Sequence, residues 1–273
     1  MSAPFRFGVT AAARGPADEW VTRVRRVADL GYSTLLVPDN LHMIAPLPAL
    51  AVAATAEPRL RVCPFVLAGP LRTPRTTAWE AHSLAVLTGG RFELGIGTGR
   101  PDARGEAERL GMPWGTGAQR LAGVRAAVAA LRELDGDGPA TRVVMAAGGP
   151  KALAAAAGIA DTVFLAAPPG TPRAELDRMS GELRARAAGR DVETGMSLFA
   201  VGDDIPEEML RWAGPGAAEA LRAPDNPSRL TGSTSEMADE LRRRRDELGI
   251  SYLAVNEYTA TALAPVVAQL SGT

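Results

Sequence analysis

The chain has 273 residues with 46% hydrophobic and 22% charged content and a net charge of −1, which indicates a globular protein without an electrostatic surface for nucleic acid or an anionic membrane. One cysteine and two histidines exclude an intrachain disulfide, a thiolate zinc site and a multi-histidine metal centre. No signal-peptide pattern opens the sequence and no run approaches about 18 apolar residues, so we expect a cytoplasmic protein.

Short apolar runs alternate with longer amphipathic runs, a pattern typical of βα units around a parallel sheet. In the first half, the pattern predicts strands at residues 5–9, 34–37, 60–67 and 92–97. Helices are predicted between them at residues 18–30, 47–56 and 76–87, and a long loop leads to a helix at residues 120–134.

In the second half, strands are predicted at residues 143–147, 162–165, 196–201 and 252–255. The helices follow at residues 151–157, 171–188, 207–221, 235–248 and 263–270. About eight strands, each followed by a helix, predict an α/β fold, a single (β/α)8 TIM barrel that spans residues 1–273 as one domain. An open doubly wound sheet, which tolerates six or seven strands, is the alternative.

In such a barrel the interior is packed, so reactive groups are expected on the loops that follow the strands. The loop after the second strand carries Asp39, Asn40 and His42, and a polar run in that place indicates a site. His42 can be a proton donor, since histidine is a common general acid, or it can be a loop histidine bonded to backbone. His82 lies within a predicted helix and is interpreted as structural.

Two glycine-rich segments follow later strands. Gly95, Gly97 and Gly99 let backbone approach a ligand closely, or serve a turn or close packing, and the segment lacks the full dinucleotide fingerprint. Gly148 and Gly149 lead into a helix that opens with Pro150, which predicts a phosphate site at the helix amino terminus, with a tight βα turn as the alternative.

Several blocks of sequence, in this order, resemble the luciferase-like monooxygenase family and in particular its coenzyme F420-dependent branch. The matching blocks cover most of the chain: LGYSTLLVPDN, APLPAL, RLRVCPFVLA, AVLTGGRFELGIGTG, AAGGPKAL and LTGSTSEMADELRRRRDELGISYLAVNE.

The resemblance implies a TIM barrel that binds coenzyme F420 or FMN, with the ring against a strand-end bulge that often contains a non-proline cis peptide. The matching bulge here is Phe65–Val66. The cofactor carries the hydride while the protein orients it and excludes water. By the same resemblance the cofactor-binding residues are Asp39, Phe65, Val66, Ala68, Gly97, Thr98, Gly99, Ala147, Gly148 and Gly149.

The chain also departs from the family pattern. Asn40 stands where many relatives have a histidine, so His42 is the substitute proton donor. Arg100 and Pro169 replace the catalytic glutamate and the phosphate-binding lysine of the sugar-phosphate dehydrogenases, which argues against oxidation of glucose 6-phosphate. The insertions near residues 134–143 and 202–229 are shortened, which implies a more open pocket. The arginines at positions 72, 75, 100 and 104 either meet the acidic tail of the cofactor or are solvated.

The first functional hypothesis is an F420-dependent oxidoreductase that reduces a C=C or C=N bond, with His42 and Asn40 as catalytic residues. The alternatives are an FMN-dependent monooxygenase served by a separate reductase, and a cofactor-free barrel with a binding or cyclase role. The expected partner is a small-molecule substrate, with no metal, nucleic acid or membrane. A homodimer is expected because dimers are common among the proteins that the chain resembles.

Overall fold

The computed structural model describes residues 3–203, 205–213, 216–223 and 226–273. The strands are β1 Arg6–Thr10, β2 Thr34–Val37, β3 Arg61–Pro64, β4 Leu67–Ala68, β5 Glu93–Gly97, β6 Arg142–Ala147, β7 Thr162–Leu165, β8 Glu193–Leu198, β9 Ala200–Val201, β10 Arg229–Leu230 and β11 Ile250–Asn256. The helices are α1 Ala17–Asp29, α2 Pro46–Ala56, α3 Pro74–Leu87, α4 Ala103–Arg109, α5 Gly117–Asp135, α6 Pro150–Ile159, α7 Arg173–Ala187, α8 Glu207–Ala213, α9 Ala217–Arg222, α10 Thr234–Leu248 and α11 Ala260–Leu270.

Nine of these strands form one parallel sheet in the order β3-β2-β1-β11-β8-β7-β6-β5-β4. The two strands at the ends of this order, β3 and β4, are consecutive in the chain and are separated only by Phe65 and Val66. They are therefore two halves of one barrel strand, and the sheet closes into the predicted eight-stranded barrel. The TIM-barrel prediction is confirmed, and the open-sheet alternative is wrong.

The helices pack on the outside of the barrel because each presents an apolar stripe to the strands. In α1 the buried residues Trp20, Val24 and Val27 recur at helical spacing. Asp18 and Glu19 lie in its first turn, where negative charges interact favourably with the positive end of the helix dipole. The same alternation of strand and helix continues through α11, whose Leu263, Val267 and Leu270 are buried.

An ion-pair layer fills the amino-terminal end of the barrel. Glu93 is fully buried and accepts hydrogen bonds from Arg6 at 2.9 Å and from Arg61 at 2.5 Å. Arg6 also donates to Glu193 at 2.9 Å. Each buried charge has a partner of opposite sign, so these side chains fill the amino-terminal end of the barrel. The active site is therefore expected at the carboxyl-terminal end of the strands.

The structure corrects four boundaries. The strand predicted at residues 60–67 is interrupted at Phe65–Val66, and the strand predicted at residues 196–201 begins at Glu193 and splits into β8 and β9. Helix α4 lies inside the predicted long loop. The helix predicted at residues 207–221 is two helices, α8 and α9, because Gly216 adopts a left-handed backbone with φ at 80°. Among the described residues, no helix has the length and apolar run needed to span a bilayer.

Candidate active site

The carboxyl-terminal ends of the barrel strands form a mouth that small or polar residues line. Thr10, Ala146, Ser197 and Asn256 are half-buried there, in contrast to the buried residues beneath them. Strand alternation places them above the interior layer. That layer consists of Leu36, Cys63, Val144, Phe164, Tyr252 and Ala254.

An aromatic stack connects this interior layer to the mouth. Phe164 meets Tyr252 edge-to-face at 4.8 Å, and Phe65 meets Phe164 in the same manner at 4.7 Å. Tyr252 is fully buried, whereas Phe65 is half-buried at the strand end. The Phe65–Val66 peptide bond is cis, as the resemblance predicted. Phe65 therefore gives the mouth an aromatic floor.

The glycines within and directly after β5 have a clear packing role. A Cβ on Gly95 would lie 1.8 Å from the carbonyl oxygen of Pro64, and one on Gly97 would lie 3.0 Å from Val66. Gly99 has a φ of 83°, and a Cβ there would lie 2.9 Å from the indole of Trp114. Close packing of β5 against the β3–Val66 segment thus requires Gly95 and Gly97, and the contact with Trp114 requires Gly99.

Thr98 lies between two of these glycines and is held through its backbone. Arg120 donates to the carbonyl oxygen of Thr98 at 2.9 Å, and its guanidinium lies 4.4 Å above the ring of Trp114. The pair fixes the loop after β5 at the mouth. Neither Trp114 nor Arg120 was singled out from the sequence, because contacts between a loop and the next helix leave no short motif.

The carboxylate of Asp39 is hydrogen-bonded to other residues of the chain. Arg72 donates to both oxygens of its carboxylate, at 2.7 and 2.9 Å, and the backbone N–H of Ala68 donates at 2.9 Å. Arg100 donates to the backbone carbonyl of Asp39 at 3.0 Å. The carboxylate is buried, so its negative charge is neutralised in place and the loop after β2 is tied to β4.

Glu106 on α4 is a second buried carboxylate near the mouth. It pairs with Arg100, which also bonds Asp102 at 2.9 Å, and Glu106 Oε2 has no hydrogen-bond partner among the described residues. Arg100 thus links α4 to the loop that carries Asp39. Glu106 went unnoticed in the sequence because α4 itself was not predicted.

Four arginines were candidates to bind the acidic tail of the cofactor, and three of them have carboxylate partners within the chain. Arg72 pairs with Asp39, Arg100 with Glu106, and Arg104 with Glu108 at 3.2 Å. Their charges are thus offset within the chain. His82 pairs with Asp135 at 3.0 Å between α3 and α5, which agrees with a structural role.

The two candidate catalytic residues lie on the outer rim of the mouth. Asn40 Oδ1 accepts a hydrogen bond from the backbone N–H of His42 at 2.8 Å, and Met43 N donates to the carbonyl of Asn40 at 3.0 Å. This turn leaves His42 exposed and Asn40 half-buried. Asn40 therefore shapes the turn, and the imidazole of His42 is exposed to solvent.

The segment after β6 leads into a helix whose amino terminus has no side-chain cap. Gly149 is the N-cap of α6 and gives it no side-chain cap, and Pro150 follows at the first helical position. The amides of Lys151 and Ala152 therefore lack intrahelical acceptors. A Cβ on Gly149 would meet nothing within 4 Å, so the space beside the N-cap residue is open.

Lys151 adds a positive charge to this helix end. Lys151 is the only lysine of the chain and lies exposed in the first turn of α6. A cation there is unfavourable beside the positive end of the helix dipole, and a bound anion would offset it.

Gly148 and Ala147 contribute differently from Gly149. A Cβ on Gly148 would lie 3.0 Å from the carbonyl oxygen of Ala166, so Gly148 packs against the end of β7. Ala147 is buried in the core between strands and helices. Only its backbone can face a ligand.

Contacts between strand ends bring the candidate residues to one rim. Asp39 after β2 bonds Ala68 of β4, and Gly97 of β5 lies against Val66 and near the carbonyl oxygen of Ala146 on β6. The predicted residues from the second to the fifth predicted strand thus share one arc of the mouth. Among the described residues, no group of three His, Cys, Asp or Glu is placed to hold a metal ion.

Comparison with known proteins identifies relatives. A sequence model of the family described as luciferase-like monooxygenase matches residues 1–256. The F420-dependent glucose-6-phosphate dehydrogenase of Beutenbergia cavernae is 34% identical over 113 residues, which cover 38% of this chain and 33% of that protein. The match thus spans about one third of that relative's length.

Solved structures share the fold. The coenzyme F420-dependent tetrahydromethanopterin reductase from Methanopyrus kandleri superposes with a TM-score of 0.74 at 15% identity, over 98% of this chain and 100% of that one. A type II Baeyer–Villiger monooxygenase from Pseudomonas putida, solved with FMN, gives a TM-score of 0.71 at 14% identity, over 98% of both chains. At such identities the likeness concerns the barrel alone.

Proposed function

This chain belongs to the luciferase-like monooxygenase family, and from that premise we propose that it is an oxidoreductase that transfers a hydride from reduced coenzyme F420 to a small organic substrate. The proposed reaction is reduction of an activated C=C or C=N bond. One observation carries the proposal: the uncapped amino terminus of α6 opens beside a mouth floored by Phe65 and small residues.

The residues present fit a flat ring that bears a phosphorylated side chain. Phe65 and Ala146, both half-buried at the strand ends, supply apolar surface. The free amides of Lys151 and Ala152 and the lysine charge suit a phosphate. When bound, the reduced deazaflavin supplies the hydride.

The residues on the loop after β2 are proposed to position the substrate and to protonate it. The Asp39–Arg72 pair fixes the loop after β2, so that Asn40 and His42 are held at the rim. We assign His42 as the proton donor to the substrate, because its side chain is exposed at the loop after β2 and histidine is the residue most often used for proton transfer. The Nδ2 group of Asn40 is a second donor for a substrate oxygen or nitrogen.

The substrate is proposed to differ from that of the dehydrogenase relative. Arg100 stands in the place of the glutamate that sugar-phosphate oxidation requires, and its guanidinium is committed to Glu106 and Asp39. Pro169 cannot replace a phosphate-binding lysine, because its side chain carries neither charge nor donor. We therefore propose a substrate without a sugar phosphate.

FMN is the second candidate cofactor. It also joins a flat ring to a phosphate, and the structural relative from Pseudomonas putida holds FMN on the same fold. With FMN, the proposed reaction is monooxygenation supported by a separate reductase.

Fluorescence titration tests the proposal. Purified protein is added to F420 and to FMN separately, and quenching of each is followed to saturation. Saturable quenching of F420 supports the first candidate, and of FMN alone the second. Absence of both would contradict the proposal and favour a cofactor-free barrel.

For the role of His42, H42Q is expected to keep cofactor affinity while lowering turnover at least 10-fold, in line with the usual contribution of general acid catalysis.

A further inference from the structure

A second concave surface lies on the outer side of the barrel, between helices α7 and α10 and the segment that joins α9 to β10. Its volume is about 750 Å³, within the range of roughly 300–1,000 Å³ that is usual for small-molecule sites. The described residues that line it all follow β7 in the chain. None of them therefore belongs to the loops after β2 to β6, which carry the proposed cofactor site.

Positive side chains dominate this cavity. Two acidic residues, Glu240 and Glu247, are among the described residues of its lining. A cavity with more guanidinium than carboxylate groups attracts anions. The arginines of the lining are Arg173, Arg222, Arg229, Arg243 and Arg244.

The carboxylate of Glu240 is shared by three of these arginines. Its Oε1 accepts a hydrogen bond from Arg244 at 2.7 Å and one from Arg173 at 3.2 Å. Its Oε2 accepts a hydrogen bond from Arg243. Arg173 also donates to Glu247 at 2.5 Å. Three positive charges thus share two carboxylates, and positive charge remains in excess.

Arg244 forms the buried wall of the cavity. Its side chain is only 4% exposed, and it donates to the backbone carbonyls of Pro227 at 2.5 Å and Arg229 at 3.3 Å. Burial lowers the pKa of Arg244, and the like charges of Arg173 and Arg243 lower it further. Because a guanidinium stays protonated in proteins, these groups repel one another. An anion in the cavity would offset that repulsion.

The other two arginines have no carboxylate within hydrogen-bond distance among the described residues. Arg229 donates to the backbone carbonyls of Gly202 and Asp203, each at 3.0 Å, and the carboxylate of Asp203 lies 4.0 Å away. Arg222 is exposed and makes no ion pair with any residue in the part of the chain that the structure describes. Both add to the excess of positive charge.

We propose that this cavity binds a small polyanion, a molecule with two or more phosphate or carboxylate groups, through Arg173, Arg222 and Arg243. Guanidinium groups form paired N–H···O bonds with both kinds of group. The three arginines lie on three different helices, α7, α9 and α10, so a ligand with several negative groups can contact all of them at once.

Other anionic ligands fit less well. None of the described lining residues is aromatic, so the cavity offers no ring on which a nucleobase would stack. The net charge of the chain is −1, which disfavours an extended nucleic acid or an anionic membrane. The favoured ligand is therefore compact.

Isothermal titration calorimetry on the full chain tests the proposal, with pyrophosphate and citrate as the probes. The buffer contains about 0.15 M sodium chloride, at which charges more than about 8 Å apart are largely screened. Saturable one-to-one binding of at least one probe is expected, and the tighter probe identifies phosphate or carboxylate as the group that is recognised.

Two variants and a matched control locate the site. R222Q and R243Q each remove a charged hydrogen-bond donor at an exposed position, and each is expected to weaken binding at least 10-fold with an unchanged circular dichroism spectrum. The control is R242Q. Arg242 neighbours Arg243 on α10 but pairs with Asp239 at 2.7 Å and does not line the cavity, so its affinity is expected to stay at the wild-type value.

Two further variants separate this cavity from other anion sites. E247Q releases Arg173 from an exposed ion pair and is expected to tighten binding about 3-fold. G149D, at the amino terminus of α6, is expected to bind pyrophosphate as the wild type does. Absence of saturable binding of both probes, equal affinities of R243Q and R242Q, or loss of binding in G149D with R222Q unaffected would overturn the proposal.

Discussion

Arg72 donates two hydrogen bonds to the carboxylate of Asp39, at 2.7 and 2.9 Å, across 33 positions of sequence. The pair joins the loop after β2 to the segment after β4. Because Asp39 is only 6% exposed, R72M leaves a buried carboxylate without its cation and is expected to lower the free energy of unfolding by about 3 kcal/mol. Urea unfolding measures this value.

The matched double variant separates charge from packing. D39N/R72M removes both charges and is expected to recover most of the lost stability, because an amide needs no counter-ion. Equal losses in the single and double variants would show that the pair matters only for its shape.

Gly99 is expected to tolerate no side chain. Its φ is 83°, and a Cβ would lie 2.9 Å from Trp114, so G99A is expected to cost about 2 kcal/mol and to alter the tryptophan fluorescence. The control is G123A within α5, where a Cβ meets nothing within 4 Å. That variant is expected to gain about 0.8 kcal/mol through helix propensity. Similar effects at both sites would refute the packing role.

The ion pair after α2 predicts a pH dependence of stability. Hydrogen bonds from Arg59 lower the pKa of Glu57 from 4.5 to about 2. A carboxyl group whose pKa is lower in the folded state stabilises the fold above its unfolded pKa, and loses that contribution as the pH falls through the folded value.

The difference in unfolding free energy between the wild type and E57Q is therefore expected to be full above pH 5 and to close as the pH falls towards 2. E80Q serves as control, since Glu80 makes no ion pair among the described residues. A difference that is constant over this pH range would contradict the prediction.

Cys63 reports on opening of the barrel. Its side chain is fully buried beneath the mouth, and burial raises the pKa of its thiol well above the usual range. The thiolate is the reactive form, so a disulfide reagent at pH 8 is expected to label the native protein at least 100-fold more slowly than the urea-unfolded protein. Rapid labelling of the native protein would show that the interior layer is open.

Much of the barrel could be predicted from the sequence. Strands β2 and β7 match the predicted residues 34–37 and 162–165, because each is a short apolar run bounded by polar or turn residues. Helix α4 was missed because its seven residues, ARGEAER, present only Ala103 and Ala107 as apolar positions. Such a helix depends on its tertiary contacts more than on its own pattern.

The candidate site was less predictable. Loop positions after strands could be chosen from the barrel rule, but the partner of Asp39 depends on the register of distant segments. The packing roles of Gly97 and Gly99 arise from Val66 and Trp114, which lie far away in sequence. A glycine that is required by close packing and one that faces a ligand leave the same letter in the sequence.

The central claim is that the amino terminus of α6 binds the phosphate of the cofactor, and the affinity of two variants at Gly149 tests it most directly. G149D and G149N have nearly the same shape, both cap the helix, and a Cβ at this position meets nothing within 4 Å. G149D alone adds a negative charge in front of the free amides. We expect G149D to bind the quenching cofactor at least 10-fold more weakly than G149N, with both variants at least as stable as the wild type. Equal affinities of the two variants and the wild type would contradict the claim.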